Sequence, residues 1–386
     1  MKRGFRDSTI YIHGLGFRRA CLSLSPEGRI ISFESVQDSD FVVPNQLFVV
    51  PGFIDEHLHG SDGFDVMDGK RSSLETIAKA LPRDGVTSFC PTTMTMSEDR
   101  ILGALRNIED AVNNPFIGGA RIIGAHLEGP FISSVYKGAQ EARYVRRCDP
   151  LLMARFFAAC PHVKMVTFAY EENGKQLLSF LNAYHIVPSI GHSNCTSLLL
   201  KEGIDTGITC STHTFNAMSP FKHREVGVVG RVLIDDRVNC ELIADMIHVS
   251  QEAIQLLYRC KKDRIVLITD SMEAKHLEDG VYSLGGQKVY VSQGAARLKD
   301  GTLAGSVLTT NKAIKNVKEA LSIPLSEAVD MATLSPARNL HLENEIGSIE
   351  IGRWGDFTVI DEECNVYATF RSGDLIYKKE DYSWLR

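Results

Sequence analysis

Residues 51–60 read Pro-Gly-Phe-Ile-Asp-Glu-His-Leu-His-Gly, an apolar run that ends in two histidines separated by one residue. In a β-strand, side chains two positions apart point to the same face, so His57 and His59 would lie side by side. Two imidazoles on one face are able to bind one cation. The pair does not establish a metal site by itself, because such pairs also occur for structural reasons.

The segment belongs to the first of eight apolar runs that are typical of buried strands. They are residues 47–54, 86–92, 121–128, 163–169, 186–191, 208–213, 240–247 and 264–269. Helical periodicity lies between several of them, over 72–81, 97–112, 174–184, 250–262 and 306–321, the first with Ser72 and Glu75 as a capping box. Eight strand–helix units predict a closed (β/α)8 barrel. An open doubly wound sheet is the alternative, which the lack of a Gly-x-Gly-x-x-Gly turn after the first strand disfavours.

The two ends of the chain differ from its middle. Residues 8–50 and roughly the last 40 residues hold short stretches of alternating polarity, such as 9–12 and 357–360, with turn residues between them. We expect these stretches to pair with each other. The predicted fold class is therefore α/β: a TIM-type (β/α)8 barrel over residues 51–344, with a small β-sandwich domain formed by both termini, residues 1–50 and 345–386.

The composition excludes several classes of protein. The 386 residues are 44% hydrophobic and 23% charged, with a formal net charge of −6. A mildly acidic chain without a basic tract is a poor binder of nucleic acid or anionic membranes. No run reaches the 18 apolar residues of a membrane-spanning helix. Nine cysteines without a Cys-x-x-Cys pair predict free thiols in a reducing compartment. Since no apolar signal segment is present, we expect a cytoplasmic protein.

Residues able to bind a metal follow most of the predicted strands. In a parallel barrel the carboxyl ends of the strands meet at one face, which carries the active site. The candidates at that face are His57 and His59 after strand 1, Glu128 after strand 3, His192 after strand 5, His213 after strand 6 and Asp270 after strand 8. Mixed nitrogen and oxygen ligands suit Zn, Fe, Mn, Ni or Co better than Ca or Mg. Such an ion lowers the pKa of bound water to about 7, and a neighbouring carboxylate is able to take its proton.

Each of these residues also has a structural interpretation when it is considered alone. Asp270 before Ser271 could be a helix N-cap, and Glu128 before Gly129 could cap a turn. It is the coincidence of five ligand-type residues at four strand ends, with a carboxylate at the eighth, that predicts a metal site. His126, inside strand 3, is interpreted as a core or supporting residue.

Longer motifs resemble the N-acetylglucosamine-6-phosphate deacetylase family of the amidohydrolase superfamily, over essentially the whole chain. Besides residues 51–60, they are His126-Leu-Glu-Gly-Pro-Phe131, Gly191-His-Ser193, His213-Thr-Phe-Asn-Ala-Met218, Thr269-Asp-Ser-Met272 and Leu303-Ala-Gly-Ser306. The resemblance implies a barrel with a small β domain built from both termini. It also implies a hydrolase that removes acetate from N-acetylglucosamine 6-phosphate to give glucosamine 6-phosphate.

The resemblance implies a role for individual residues. Glu128, His192 and His213 match the metal site shared by the family. His57 and His59 match a second site, so one or two divalent ions are expected. Asp270 matches the catalytic acid and base, which would take the proton of metal-bound hydroxide and return it to the leaving amine. The residues implied to hold the sugar phosphate are Asn216, Ala217, Arg224 and His248, with Leu303, Ala304 and Gly305 lining the substrate. Arg224 would come from the neighbouring subunit of a homodimer.

One position departs from the family pattern. Where the family usually reads Lys-Gly-Ala-His, this chain reads Lys137-Gly138-Ala139-Gln140, and Ala139 and Gln140 match substrate-contacting positions. Glutamine donates hydrogen bonds but carries no charge. The change leaves open N-acetylgalactosamine 6-phosphate as the substrate, or another N-acyl compound or cyclic amide. A third hypothesis, a non-enzymatic assembly protein, is disfavoured by the complete set of ligands.

Overall fold

The structure is a computed structural model that describes residues 4–34 and 41–380. Its strands are β1 (Phe5–Ile12), β2 (Gly16–Leu24), β3 (Ile30–Ser32), β4 (Phe48–Pro51), β5 (Phe53–Leu58), β6 (Gly60–Ser61), β7 (Phe64–Asp65), β8 (Val86–Pro91), β9 (Arg121–Ile122), β10 (Ala125–Glu128), β11 (Val163–Phe168), β12 (Val187–Ile190), β13 (Cys210–Ser211), β14 (Asn239–Ile243), β15 (Ile265–Ile268), β16 (Gly280–Leu284), β17 (Gln287–Ser292), β18 (Ala295–Arg297), β19 (Phe357–Ile360), β20 (Val366–Arg371) and β21 (Asp374–Lys378). Its α-helices are α1 (Arg71–Ala80), α2 (Glu98–Asn113), α3 (Pro150–Ala159), α4 (Gly174–Ala183), α5 (Ser197–Thr206), α6 (Gly227–Ile234), α7 (Gln251–Lys261), α8 (Thr310–Leu321), α9 (Leu325–Asp330) and α10 (Leu334–Asn339). The outermost residues of the predicted small domain, 1–3 and 381–386, lie outside the described part, as do residues 35–40.

The middle of the chain forms a curled parallel sheet. Six of its strands follow one another in the order β10–β11–β12–β13–β14–β15, and β5, β8 and β9 form a second parallel group. The two groups adjoin at both ends, since β5 contacts β15 and β8 contacts β10. At the first junction the backbone N–H of Asp270 donates to the carbonyl of His57 at 2.9 Å. At the second junction Thr92 and His126 form an isolated parallel β-bridge. The predicted α/β class is confirmed.

The helices cover the outer face of this sheet with one apolar side each. In α2, Ile101, Leu105 and Ile108 are fully buried at helical spacing, while its charged residues face away. All four residues of β15 are buried, as expected for a parallel strand covered on both faces. No helix in the described residues is long and apolar enough to span a membrane.

Several element boundaries differ from the predictions. The predicted strand 47–54 is divided into β4 and β5, which belong to different sheets. Helix α1 begins at Arg71, with Lys70 at the N-cap and no capping side chain, so the capping box predicted at Ser72 and Glu75 is wrong. The predicted strand 121–128 is split into β9 and β10 around Gly124, whose φ of +145° interrupts regular strand geometry. The predicted helix 306–321 begins only at Thr310, because the residues before it extend past the site, where Ser306 N–H bonds the carbonyl of Asp270.

The two ends of the chain pair with each other in one seven-stranded sheet. The strand order is β21–β20–β19–β4–β1–β2–β3, so β4 lies between an N-terminal and a C-terminal strand. The sheet has its own apolar core, in which the Phe5 ring meets the Phe357 and Phe370 rings edge-on at centroid distances of 5.3 Å. The predicted β-sandwich is not confirmed, because the described strands of the two ends belong to a single sheet.

A separate antiparallel sheet, β16–β17–β18, is inserted after β15. Sequence reasoning missed it, although β17 alternates exposed and buried residues along its length. Leu284 at the end of β16 reaches the cavity described below. The inserted sheet therefore contributes to one wall of that cavity.

Candidate active site

Five predicted metal ligands converge at the carboxyl ends of the parallel strands. His57 lies in β5 and His59 directly after it, Glu128 ends β10, and His192 and His213 follow β12 and β13. Glu128 lies at the centre: its Oε1 is 3.1 Å from Nε2 of both His192 and His213. Its Oε2 is 3.4 Å from Nε2 of His59. One carboxylate thus adjoins two pairs of histidines.

The donor set fits a divalent cation. The Nε2 atoms of His192 and His213 face each other at 3.1 Å, a separation at which two ring nitrogens need a shared proton or a shared cation. Nε2 of His57 is fully buried and has no hydrogen-bond partner in the described part of the chain. The possible ligands form two groups of three that overlap at Glu128: His57, His59 and Glu128, and Glu128, His192 and His213. An ion in the first group would satisfy Nε2 of His57, and an ion in the second would lie between the facing nitrogens of His192 and His213.

Backbone carbonyls orient two of the histidines. Nδ1 of His59 lies 3.2 Å from the carbonyl of Thr92, and Nδ1 of His192 lies 2.9 Å from the carbonyl of Tyr136. Because a carbonyl oxygen only accepts, each Nδ1 carries a proton and each Nε2 is left for the centre of the site.

Glu241 is a supporting residue that sequence reasoning missed. It is fully buried within β14, and its Oε2 accepts from Nδ1 of His57 at 2.9 Å and from the backbone N–H of His213 at 3.1 Å. One carboxylate therefore positions two predicted ligands. The signal was available: a carboxylate in the otherwise apolar run 240–244 has to find partners when the strand is buried.

The charges in the cluster shift the pKa values of its members. Burial acts to raise the pKa of Asp270, but His57 and His59 outweigh it and lower this pKa to about 2. Burial acts to lower the pKa of His57, but Glu241, Asp270 and Glu128 outweigh it and raise this pKa to about 9. Burial likewise acts to raise the pKa of Glu128, but its hydrogen bonds with His192 and His213 outweigh it and lower this pKa. Both Asp270 and Glu128 thus favour the ionised form next to positive charge, which protons on the histidines or a bound cation supply.

The backbone is strained at three of these strand ends. The φ angles of His192, His213 and Asp270 are +47°, +32° and +48°, in the left-handed region that side chains other than glycine rarely adopt. Such conformations persist where the surroundings enforce them, and they cluster at functional sites. At Asp270 the enforcing contacts are the hydrogen bonds of its N–H to His57 and of its carbonyl to Ser306.

A cavity of about 340 Å³ opens above the cluster, within the size range of small-ligand sites. Twelve predicted site residues line it: His59, Glu128, Ala139, Gln140, His192, His213, Asn216, Ala217, His248, Asp270, Leu303 and Gly305. Six residues that were not predicted also line it: Met94, Val135, Tyr136, Gly138, Leu284 and Thr302. Four of them are close in sequence to predicted residues, whereas Met94 and Leu284 are brought to the cavity by distant parts of the chain.

Three predicted site residues do not line this cavity. His57 is fully buried behind His59, and Ala304 points into the interior at 1% exposure. Arg224 lies on an exposed loop between β13 and α6. Within one chain, the side chain of Arg224 therefore lies apart from the other candidate residues.

His248 is held by a neighbouring acid. Its Nδ1 lies 2.6 Å from Oδ2 of Asp245, while Oδ1 of Asp245 accepts from the backbone N–H groups of Ile247 and His248, both at 2.8 Å. Asp245 falls within the predicted strand 240–247, where a buried acid needs a polar partner. It lies just beyond β14 and fixes the ring of His248, which leaves Nε2 of that ring for a ligand.

A curled parallel sheet that presents histidines and acids at the carboxyl ends of its strands is the arrangement found in metal-dependent hydrolases. Comparison with known families agrees: the amidohydrolase family matches residues 48–376. The chain belongs to the amidohydrolase family.

Individual relatives are more specific. The chain is similar to an N-acetylglucosamine-6-phosphate deacetylase of Bacillus subtilis (strain 168), with 38% identity over 339 residues, 86% of each chain. It is also similar to an N-acetylgalactosamine-6-phosphate deacetylase of Escherichia coli O157:H7, with 35% identity over 84% of this chain and 86% of the relative. Among solved structures, a mutant N-acetyl-D-glucosamine-6-phosphate deacetylase from Mycobacterium smegmatis in complex with N-acetyl-D-glucosamine-6-phosphate superimposes with a TM-score of 0.90 at 28% identity, covering 97% of this chain and 100% of that one.

Proposed function

We propose that this protein is a metal-dependent deacetylase that converts N-acetylglucosamine 6-phosphate into acetate and glucosamine 6-phosphate. The observation that carries the proposal is the placement of Asp270, whose Oδ1 lies 3.1 Å from Nε2 of His59 at the rim of the ligand cluster, facing the cavity. A proton acceptor thus adjoins a candidate cation site on a cavity wall, which is the arrangement that metal-assisted hydrolysis of an amide uses. The substrate follows from the relatives that act on it.

The ligand cluster and Asp270 divide the chemistry between them. His57, His59, Glu128, His192 and His213 would hold one or two divalent ions of Zn, Fe, Mn, Ni or Co. A bound ion supplies positive charge that acidifies water and polarises a carbonyl. Asp270, ionised because of its low pKa, accepts the proton of the attacking water and delivers it to the nitrogen of the leaving amine.

The opposite wall of the cavity would hold the sugar and its phosphate. Asn216 and Ala217 follow His213 in a tight loop, in which Asn216 N–H donates to the carbonyl of His213 at 2.9 Å. His248, fixed by Asp245, offers Nε2 from the next strand. The segment after β18 contains Leu303, Ala304 and Gly305. Gly305 has a φ of +63°, and a Cβ atom added to it would lie only 3.1 Å from the carbonyl oxygen of Asp270. A side chain there would press on the loop that carries Asp270.

Arg224 supports a homodimer. An exposed arginine outside the cavity of its own chain is free to enter the cavity of a second copy. Its planar guanidinium suits a phosphate dianion, with which it forms paired charged hydrogen bonds. We therefore propose that each subunit lends Arg224 to its partner.

Replacement of Arg224 by Ala tests this role. Losing a charged hydrogen-bond donor to the phosphate costs about 1.5–3 kcal/mol, so we expect KM for N-acetylglucosamine 6-phosphate to rise about 10- to 150-fold. The KM for the unphosphorylated sugar should stay unchanged, which makes that sugar the internal control. Equal effects on both sugars, or none on either, would contradict a phosphate contact.

A second candidate substrate is N-acetylgalactosamine 6-phosphate, because a relative of 35% identity is a deacetylase of that compound. The two sugars differ only in the configuration of one hydroxyl, and the same ligands and Asp270 would serve both. The ratio of kcat/KM for the two epimers decides between them.

Acetate release tests the proposed function as a whole. The metal-loaded protein would be assayed with N-acetylglucosamine 6-phosphate, its galacto epimer and unphosphorylated N-acetylglucosamine. We expect rapid release from the first and much slower release from the unphosphorylated sugar, because the phosphate supplies binding energy remote from the reacting carbon. No release from any of the three by metal-loaded protein would direct the search to other N-acyl or cyclic amide substrates.

We also propose the domain architecture and the cellular location of the protein. The contacts of β5 with β15 and of β8 with β10 support closure of the curled sheet into a TIM-type barrel over residues 51–344. The shared seven-stranded sheet supports a small domain of residues 1–50 and 345–386. All nine cysteines lie within the described residues and are free, which supports a reducing compartment such as the cytoplasm.

A further inference from the structure

The side chain of Gln140 is enclosed by two hydrogen bonds. Its Nε2 donates to Oε2 of Glu128 at 2.7 Å, and its Oε1 accepts from the backbone N–H of Thr95 at 2.8 Å. Because an N–H only donates and an ionised carboxylate only accepts, the two partners leave one orientation for the amide. The residue is 3% exposed. Gln140 is therefore committed to Glu128 before any substrate enters.

The loop that carries Gln140 is also held in place. The backbone N–H of Gln140 donates to the carbonyl of Lys137 at 2.9 Å, which closes a turn. The ammonium of Lys137 folds back to the carbonyls of Gly138 and Gln140 at 3.2 and 3.4 Å. From the inserted sheet, the side chain of Gln287 donates to the carbonyl of Ala139. These contacts fix the distance between the amide and Glu128.

We propose that Gln140 is a positioning residue that holds Glu128 for the metal, in place of the substrate contact that its family position implies. The inference rests on the proposed function, in that it assumes a cation between Glu128 and the histidines. Oε1 of Glu128 faces His192 and His213. Because both oxygens belong to one planar carboxylate, the position of Oε1 depends on where Oε2 is held. Gln140 holds Oε2, and such outer partners of ligands typically contribute 10- to 100-fold to metal affinity.

Zinc binding to the metal-free protein tests the proposal. Gln140→Met keeps the length of the side chain and removes the amide, and Gln140→Asn keeps an amide that is one methylene too short. We expect both variants to bind Zn²⁺ about 10- to 100-fold more weakly than the wild type in competition with a chromophoric chelator. Gln255→Met is the matched control, because Gln255 also donates a single amide hydrogen bond, to the carbonyl of Ala320 at 3.1 Å, on the remote helix α7.

Kinetics at saturating Zn²⁺ separates positioning from substrate contact. A positioning role predicts that excess Zn²⁺ restores activity and that KM for N-acetylglucosamine 6-phosphate stays at the wild-type value. Unchanged Zn²⁺ affinity with a raised KM in either variant would overturn the proposal and assign Gln140 to the substrate. If the wild type binds Zn²⁺ but releases no acetate from any sugar, the proposed function fails, while the comparison of Zn²⁺ affinities still decides the role of Gln140.

Discussion

The Asp270→Asn variant should keep its fold and its metal and lose about 10²- to 10⁴-fold in kcat, the usual contribution of a general acid–base group. Asparagine has the shape of aspartate but is unable to accept a proton from water or return one to the amine. Burial and the hydrogen bonds of its backbone to His57 and Ser306 hold the residue in place in either form. The loss should therefore lie in turnover, with KM little changed.

Three measurements separate this outcome from misfolding or loss of metal. They are kcat for acetate release, metal content by mass spectrometry and the far-ultraviolet circular dichroism spectrum. Asp236→Asn is the matched control, since Asp236 is exposed after α6 and does not line the cavity. A near-normal kcat for Asp270→Asn would rule out Asp270 as the acid and base, whereas a metal-free variant would show a ligand role instead.

The largest expected effect on stability comes from a buried ion pair below the Asp270 loop. Lys275 is fully buried, with its Nζ 2.8 Å from Oδ2 of Asp84, and Nε2 of His276 lies 2.8 Å from Oδ1 of the same carboxylate. Asp84→Asn would leave the Lys275 charge buried without its partner. We expect a loss of about 3–5 kcal/mol in the free energy of unfolding, measured by urea titration at pH 7.

A double variant provides the control for this prediction. Replacing the pair together, as Asp84→Asn with Lys275→Met, removes the unpaired charge and should recover much of the lost free energy. If Asp84→Asn alone is as stable as the wild type, the pair contributes nothing.

The same pair makes stability depend on pH in a defined direction. Burial acts to raise the pKa of Asp84, but Lys275 and His276 outweigh it and lower this pKa below its ordinary value. A carboxyl with a lower pKa in the folded state stabilises the protein above its unfolded pKa, near 3.9, and loses that contribution as the pH falls through its folded pKa. The stability difference between wild type and Asp84→Asn should therefore shrink below about pH 4.

The local pattern of apolar and polar residues along the sequence was enough to predict much of the candidate active site. A histidine, glutamate or aspartate that directly follows a buried apolar run has its place set by the strand, and parallel strands bring such ends to one face. For this reason His59, Glu128, His192, His213 and Asp270 were found from sequence, and all five line one cavity. The roles proposed for them stay predictions until the variants are measured.

The local sequence pattern did not predict which residues, distant in sequence, would contact each other. His276 follows no predicted strand directly, yet it contacts Asp84, 192 positions away in sequence. Glu241 accepts a hydrogen bond from His57, which lies 184 positions away in sequence. The amide of Gln140 donates to Glu128 and does not point into the open cavity. The partner of a buried polar group depends on which loops the fold brings within about 3 Å, and spacing along the chain does not encode that distance.

The sequence by itself determined the α/β class, the parallel strands and the residue types at their ends, because side-chain periodicity and burial are local properties. It also determined that both termini would form strands. Only the tertiary structure decided that those strands form a single sheet in place of a sandwich, that Glu241 contacts His57, and that the amide of Gln140 donates to Glu128. These outcomes depend on how separate elements pack, since packing sets the distances at which hydrogen bonds and charges act.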